Sequence, residues 1–95
     1  MDEKNLMKIL KAVANENRLE ILRCLHKNKE LSVGDLAEMT NEPFRSVSKD
    51  LGILRRADLV QFRNFNLNRR YSINLININK FSKKLFHFLV ECWDS

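Results

Sequence analysis

This chain of 95 residues is poor in the residue types that mark several protein classes. Its two cysteines, Cys24 and Cys92, are too few for the disulfide framework of a small secreted domain, so we expect reduced thiols. One proline and two glycines exclude a collagen-like or linker-like chain, and 44% hydrophobic residues favour an ordered one. The length then predicts one small, helix-rich domain.

Long apolar runs and secretory features are also missing. No stretch approaches the roughly 20 apolar residues that a transmembrane helix requires, and the first four residues are acidic and polar. We therefore expect a cytoplasmic protein without a membrane partner. The sequence also has no Ser-His-Asp pattern, no paired carboxylates suited to catalysis and no glycine-rich phosphate loop, which predicts that it is not an enzyme.

The positive charge is concentrated in one part of the chain. The net charge of +5 arises within residues 43–74, which carry seven basic and two acidic residues. Residues 1–42 sum to −1 and residues 75–95 to +1. A concentrated block of cations indicates a surface that faces a polyanion. An ordinary solvated face is the alternative interpretation.

The stretch from residue 31 to residue 60 has the pattern of two short helices joined by a sharp turn. Ser32 is placed to cap the first helix, and Asp35, three residues later, completes a capping box. Asn41 is expected to cap the second helix, with Pro43 in its first turn, where a missing N–H costs nothing. This arrangement is typical of a helix-turn-helix.

The second helix of this pair, predicted over residues 43–57, has two different faces. Val47, Leu51 and Leu54 recur at helical spacing and form the stripe expected in the core. The opposite face carries basic, hydroxyl and aliphatic side chains, namely Arg45, Ser46, Ser48, Lys49, Ile53 and Arg56.

The flanking segments complete the predicted order of elements. These are helices over residues 3–14 and 15–29, a very short strand at residues 30–32, the helix-turn-helix, a two-stranded β-hairpin over residues 59–74, and a last helix over residues 79–93. The hairpin loop is expected at residues 64–68, where repeated asparagines replace glycine because asparagine tolerates positive φ.

The last helix is apolar over more than one face. One stripe consists of Phe81, Leu85, Phe88, Leu89 and Cys92, and a second consists of Phe86, Val90 and Trp93. A surface helix of a monomer needs one apolar stripe, so the second is expected to pack on a partner, most simply a second copy. The predicted dimer interface joins the first and last helices and consists of Leu6, Leu10, Phe86, Val90 and Trp93. A last helix packed entirely within its own domain is the alternative.

Five stretches resemble, in the right order, the ArsR family of winged-helix repressors. They are AVANENRLEIL (residues 12–22), ELSVGDL (30–36), SVSKDLGIL (46–54), ADLV (57–60) and RRY (69–71). The resemblance covers nearly the whole chain. It implies a mainly α (α+β) fold, a winged helix-turn-helix with about five helices and a two-stranded β-hairpin wing, in a single DNA-binding domain over residues 1–95.

The resemblance also implies a function. We expect a homodimeric, sequence-specific regulator of transcription that binds double-stranded DNA, and a repressor rather than an activator. The recognition helix would enter the major groove, and the wing would contact the backbone or the minor groove. The predicted DNA-binding residues are Arg45, Ser46, Ser48, Lys49, Arg56, Arg63, Arg69 and Arg70. A winged-helix module that binds protein instead of DNA is the alternative.

Two residues depart from the family pattern. Phe44 stands where the family often has a polar residue, and its helical spacing predicts a place in the core. Asp50 stands where the family tends to have histidine, and it would repel phosphate unless paired, for which Lys49 or Arg55 are the expected partners.

A metal site of the usual kind is not predicted. Metal-sensing members of the family carry cysteines within the stretch at residues 30–36, where this chain has Ser32 and Gly34, so we expect neither a metal nor another cofactor. His87 and Glu91 share one face of the last helix, and the sequence leaves open whether a dimer joins two such pairs on a metal. It indicates neither the operator nor an effector.

Overall fold

Local capping signals set the helix boundaries in the computed structural model, which describes residues 2–75 and 79–94. The elements in chain order are α1 (Glu3–Val13), α2 (Glu16–Asn28), β1 (Leu31–Ser32), α3 (Val33–Thr40), α4 (Phe44–Arg56), β2 (Val60–Phe65), β3 (Asn68–Ile73) and α5 (Lys80–Asp94). Five helices and a hairpin wing confirm the predicted winged helix-turn-helix. No helix within these described residues is long and apolar enough to cross a bilayer.

Side-chain caps account for four of the helix starts. Asn15 accepts a hydrogen bond from the backbone N–H of Arg18, and the capping box of Ser32 and Asp35 is present in both directions. Asn79 accepts from the backbone N–H of Ser82 at 2.8 Å. The fourth cap lies at the start of α1, where Asp2 has the same role. These groups satisfy backbone donors that have no partner within the helix.

The predicted role of Asn41 is wrong. It ends α3 rather than starting α4: its φ of 59° is left-handed, and its N–H donates to the carbonyl of Ala37. Asparagine tolerates this conformation better than most residues, which makes it a good helix terminator. Pro43 precedes α4 as its cap residue and supplies no side-chain hydrogen bond.

The three strands form one antiparallel sheet in the order β1-β3-β2. The predicted five-residue loop of the hairpin is too long, because the ladder continues to the pair of Phe65 and Asn68. Only two residues, Asn66 and Leu67, connect the strands, and Asn66 adopts a φ of 58°. One residue with positive φ therefore suffices to reverse the chain, and both strands of the wing are longer than expected.

The core lies between the helices and the inner face of the sheet. The predicted stripe of α4 is confirmed: Val47, Leu51 and Leu54 are at most 1% exposed. Leu36 of α3 and Tyr71 of β3 are buried with them. Because α4 buries this stripe, its opposite face is left to the solvent.

The faces of α5 agree with the prediction only in part: Phe81 and Leu85 pack against the core as expected, but other residues do not follow it. Phe86 and Trp93, expected on a partner, pack against their own core and against the ring of His26, at centroid distances of 5.7 and 6.0 Å. Phe88, expected inside, is 69% exposed. The helix is rotated so that Ser82, only 2% exposed, faces inward together with Phe86. The interface predicted for Leu6, Leu10 and Val90 stays a prediction.

Asp50 pairs with neither of its expected partners. It lies on the buried side of α4, and its carboxylate is 3.1 Å from the guanidinium of Arg18, with both side chains less than 15% exposed. Lys49 and Arg55 are exposed, and their positions on α4 are turned away from that of Asp50. Arg18 also donates to the carbonyl of Ala12 at 2.6 Å, so one guanidinium joins the end of α1, the start of α2 and the middle of α4.

We expect Arg18→Ala to lower the free energy of unfolding by about 2–4 kcal/mol, because it leaves the Asp50 carboxylate largely buried without its partner. Asp50→Ala should have a comparable cost. The exposed ion pair of Arg63 and Glu30 is the matched control, and Arg63→Ala should change the stability much less. Urea unfolding followed by circular dichroism measures all three variants. Equal losses for Arg18→Ala and Arg63→Ala would contradict the structural role assigned to the buried pair.

Candidate nucleic-acid interface

The exposed face of α4 carries a basic ridge, defined by Arg45, Lys49 and Arg56. Their spacings of four and seven residues place them on one line along the helix, and all three are exposed. Gly52 lies on the same line, and a Cβ atom added there would meet the guanidinium of Arg56 at 3.4 Å. The small residue leaves room for this guanidinium, which lies back along the ridge.

The two predicted hydroxyl residues flank this ridge on different sides. Ser48 is exposed and lies on the flank that faces the wing, where it shares a cleft with Arg69. Ser46 is half-buried and lies on the opposite flank. The two serines therefore lie on different sides of α4, although the sequence pattern placed both on the face opposite the core stripe.

Two arginines are held on the ring of Phe62, which is half-buried on the inner face of the wing. The guanidinium carbon of Arg69 lies 4.3 Å from the ring centroid, and that of Arg55, from α4, lies 5.3 Å from it. Phe62 packs in turn against Tyr71 at a centroid distance of 5.5 Å. Cation–π contacts fix both guanidinium groups and leave their donors available. Arg55 was expected only as a partner of Asp50, and its place beside Arg69 is new.

The outer face of the wing holds a second pair of arginines. Arg63 and Arg70 are directly opposite each other across the ladder, at 5.2 and 4.8 Å from the ring of Phe65. Like charges in this arrangement repel. Glu30 offsets the repulsion, since its two carboxylate oxygens accept from the Nε and Nη2 atoms of Arg63 at 2.6 and 2.8 Å. Arg63 is thus already engaged by Glu30, whereas half-buried Arg70 is held by its contact with the ring of Phe65.

A cleft of about 360 Å³ separates α4 from the wing tip. Phe44 and Ser48 line one side, and Leu67 and Arg69 line the other. The prediction that Phe44 belongs to the core is wrong, because its side chain is 61% exposed. As the first residue of α4 it lies beyond the end of the buried stripe, where the rest of the domain does not cover it.

The two cysteines lie in different environments. Burial raises the pKa of the Cys24 thiol, and the Glu20 carboxylate, 3.8 Å from the sulfur, raises it further. Cys92 is exposed on α5, as are His87 and Glu91. Across residues 2–75 and 79–94, no group of three or more histidine, cysteine or acidic residues is placed to hold a metal ion.

We expect the pKa of Glu30 to lie below the ordinary value of a glutamate, because Arg63 donates hydrogen bonds to its charged form. The pair therefore stabilises the fold above the pKa of Glu30 in the unfolded chain, and this contribution is lost as the pH falls through the lower, folded pKa. Carboxyl chemical shifts measured against pH test this. Arg63→Ala should return the pKa to the ordinary range, and Arg70→Ala should move it less; no change with Arg63→Ala would contradict the pairing.

Several known proteins are similar to this chain. A family model described as a helix-turn-helix domain matches residues 13–61. The transcriptional activator HlyU of Vibrio cholerae is 45% identical over 64 residues, which span 64% of this chain and 58% of that protein. The match thus covers little more than half the length of this relative.

Solved structures extend the likeness over nearly the whole chain. Reduced HlyU from Vibrio cholerae is 32% identical, with a TM-score of 0.79, over 97% of this chain and 92% of that one. NolR from Sinorhizobium fredii is 30% identical, with a TM-score of 0.77, over 95% and 85%. The homodimeric winged helix-turn-helix domain of Mb0332 from Mycobacterium bovis, described as a possible ArsR-family regulator, is 26% identical, with a TM-score of 0.79, over 96% and 80%.

Proposed function

This chain belongs to the ArsR family of winged helix-turn-helix transcriptional regulators, and from that membership we propose that it is a homodimeric, sequence-specific DNA-binding repressor. The observation that supports this proposal is that basic side chains of the wing lie next to basic side chains of α4. Arg69 of the wing shares the cleft with α4 and stacks on Phe62 beside Arg55, so a cation of the wing lies next to a cation of the helix that carries the basic ridge. A continuous basic surface is what a DNA backbone requires.

The residues of this surface divide by the part of DNA they would contact. Arg45 and Lys49, in the first turns of α4, are placed to donate to guanine O6 and N7 in the major groove. Arg56, near the end of the helix, would meet a phosphate. Arg69 and Arg70 would contact phosphates or the minor groove from the wing.

Three members of the predicted set, Arg63, Ser46 and Ser48, differ in how readily they would reach DNA. Arg63 would reach DNA only after exchanging Glu30 for a phosphate, since both of its hydrogen bonds are with that carboxylate. Ser48 faces the cleft and can donate to a phosphate or a base, whereas half-buried Ser46 is the weaker candidate.

A second copy of the chain is the proposed partner of α1 and α5. Met7 and Leu10 on α1 are 45% and 39% exposed, and Phe88 on α5 is 69% exposed, which leaves apolar surface on both helices. The Mb0332 domain is described as homodimeric. We propose that Leu6, Leu10 and Val90 contribute to the interface and that Phe88 replaces Phe86 and Trp93 in it. Two-fold symmetry would present two recognition helices to successive half-sites.

Repression is the proposed direction of control. Binding a duplex that overlaps a promoter is enough to exclude a polymerase, whereas activation needs a further contact. The relative HlyU is described as an activator, so the direction requires its own measurement. Transcription in vitro from a promoter that contains the selected site should fall on adding the protein; a rise would contradict repression and leave DNA binding intact.

Selection of bound duplexes from a random pool at moderate salt should yield an imperfect inverted repeat, because a symmetric dimer offers two identical reading surfaces. Size analysis of the complex should give two chains for each duplex. A single chain on an asymmetric site would contradict the dimer. Failure to bind any duplex at low salt would contradict DNA binding and favour a module that binds protein.

We expect Arg45→Ala and Lys49→Ala each to weaken binding to the selected site by about 1–3 kcal/mol while leaving the free energy of unfolding unchanged, because both side chains are exposed.

Glu30→Gln should strengthen binding at low salt, since it frees Arg63 and removes a negative charge.

Lys27→Ala is the matched control for these variants. It removes an exposed cation from the last turn of α2, outside the proposed surface, and should change the affinity only slightly. Titration by fluorescence anisotropy at several salt concentrations measures all four variants. Unchanged affinity for both α4 variants would contradict the assignment of the recognition helix.

A further inference from the structure

Phe44 is an exposed aromatic residue that the proposed contacts of the basic ridge do not use. It is the first residue of α4, it is 61% exposed, and it is absent from the set of side chains packed on the core. Exposed large apolar side chains gain free energy when they are covered. Folding of this domain leaves the side chain of Phe44 exposed, so we expect a binding partner to cover it.

The position of Phe44 indicates which partner covers it. The N-terminal residues of a recognition helix are those that approach the base edges in the major groove. Phe44 precedes Arg45 at this end of α4, and it lies on the same flank as Ser48, on the α4 side of the cleft. A phenyl ring has no hydrogen bonds to offer to bases, so polar base edges are poor partners for it.

The major groove exposes one apolar group, the C5 methyl of thymine. We propose that Phe44 reads thymine through this methyl group and so determines one position of each half-site. The inference depends on the proposed function, since it requires α4 to enter the major groove. It adds an apolar base contact to the hydrogen bonds assigned to Arg45 and Lys49, and it explains why an aromatic residue stays in solvent at this place.

Leu67 provides the matched control. It lies across the cleft at the tip of the wing and is fully exposed, so it is also an uncovered apolar side chain. The wing belongs to the backbone or minor-groove side of a duplex, where thymine has no methyl group. Leu67→Ala can therefore weaken binding in general, but it should not alter the response to the methyl group.

The test removes the methyl group without changing base pairing. In the duplex selected by the wild-type protein, each thymine is replaced in turn by deoxyuridine, and the dissociation constant is measured for the wild type, Phe44→Ala and Leu67→Ala. At one thymine of each half-site, wild type and Leu67→Ala should lose about fourfold in affinity, as expected for burial of one methyl group. Phe44→Ala should bind both duplexes equally. Thermal unfolding should be unchanged, since Phe44 is exposed.

The outcomes separate this inference from the proposed function. Specific binding by the wild type with no sensitivity to any deoxyuridine would overturn the reading of thymine and leave the regulator intact. The reading of thymine would also be overturned if Phe44→Ala were as sensitive to deoxyuridine as the wild type. If the wild type selected no duplex, the DNA-binding proposal would fail first, and the reading of thymine with it.

Discussion

The ion pair of Arg18 and Asp50 is the interaction on which the position of α4 depends. Arg18 closes the end of α1 through the carbonyl of Ala12 and reaches across 32 positions of sequence to α4. A largely buried carboxylate that loses its cation pays the cost of desolvation, so orientations of α4 that separate the two groups are disfavoured. With Asp50 held inward, Arg45 and Lys49 are left facing out.

The wing is subject to a different constraint. It places arginine side chains close together, and their mutual repulsion has to be offset by other contacts. Arg63 and Arg70 face each other in the ladder, and the ring of Phe65, which both guanidinium groups contact, together with Glu30 offsets their repulsion. The same device on the inner face holds Arg69 on Phe62. The guanidinium groups are ordered before any partner arrives, which reduces the conformational entropy that binding would cost. Phe62 and Phe65 of β2, close in sequence to the arginines of β2 and β3, were the sequence signal for these supports.

Contacts between distant residues explain where sequence reasoning failed. Asp50 was assigned to neighbours on its own helix, yet its partner lies on α2. The stripe of α5 expected inside was right for Phe81 and Leu85 but wrong for Phe88, because periodicity gives relative angles and not the rotation of a helix against a core. Phe44 had the spacing of a core residue, but the buried stripe of α4 begins only at Val47, three residues further along the helix.

Local sequence determined the elements themselves. Features that depend on near neighbours could be predicted from the sequence. They include caps such as Ser32, the spacing of apolar residues in the helices and the alternation in the wing. The concentration of cations in residues 43–74 was equally a property of the sequence. Only the tertiary structure decided which of these cations share one surface, which one is neutralised by Glu30, and which apolar residues stay uncovered. Each of those outcomes depends on which side of one element meets another, and packing of the whole chain sets that choice.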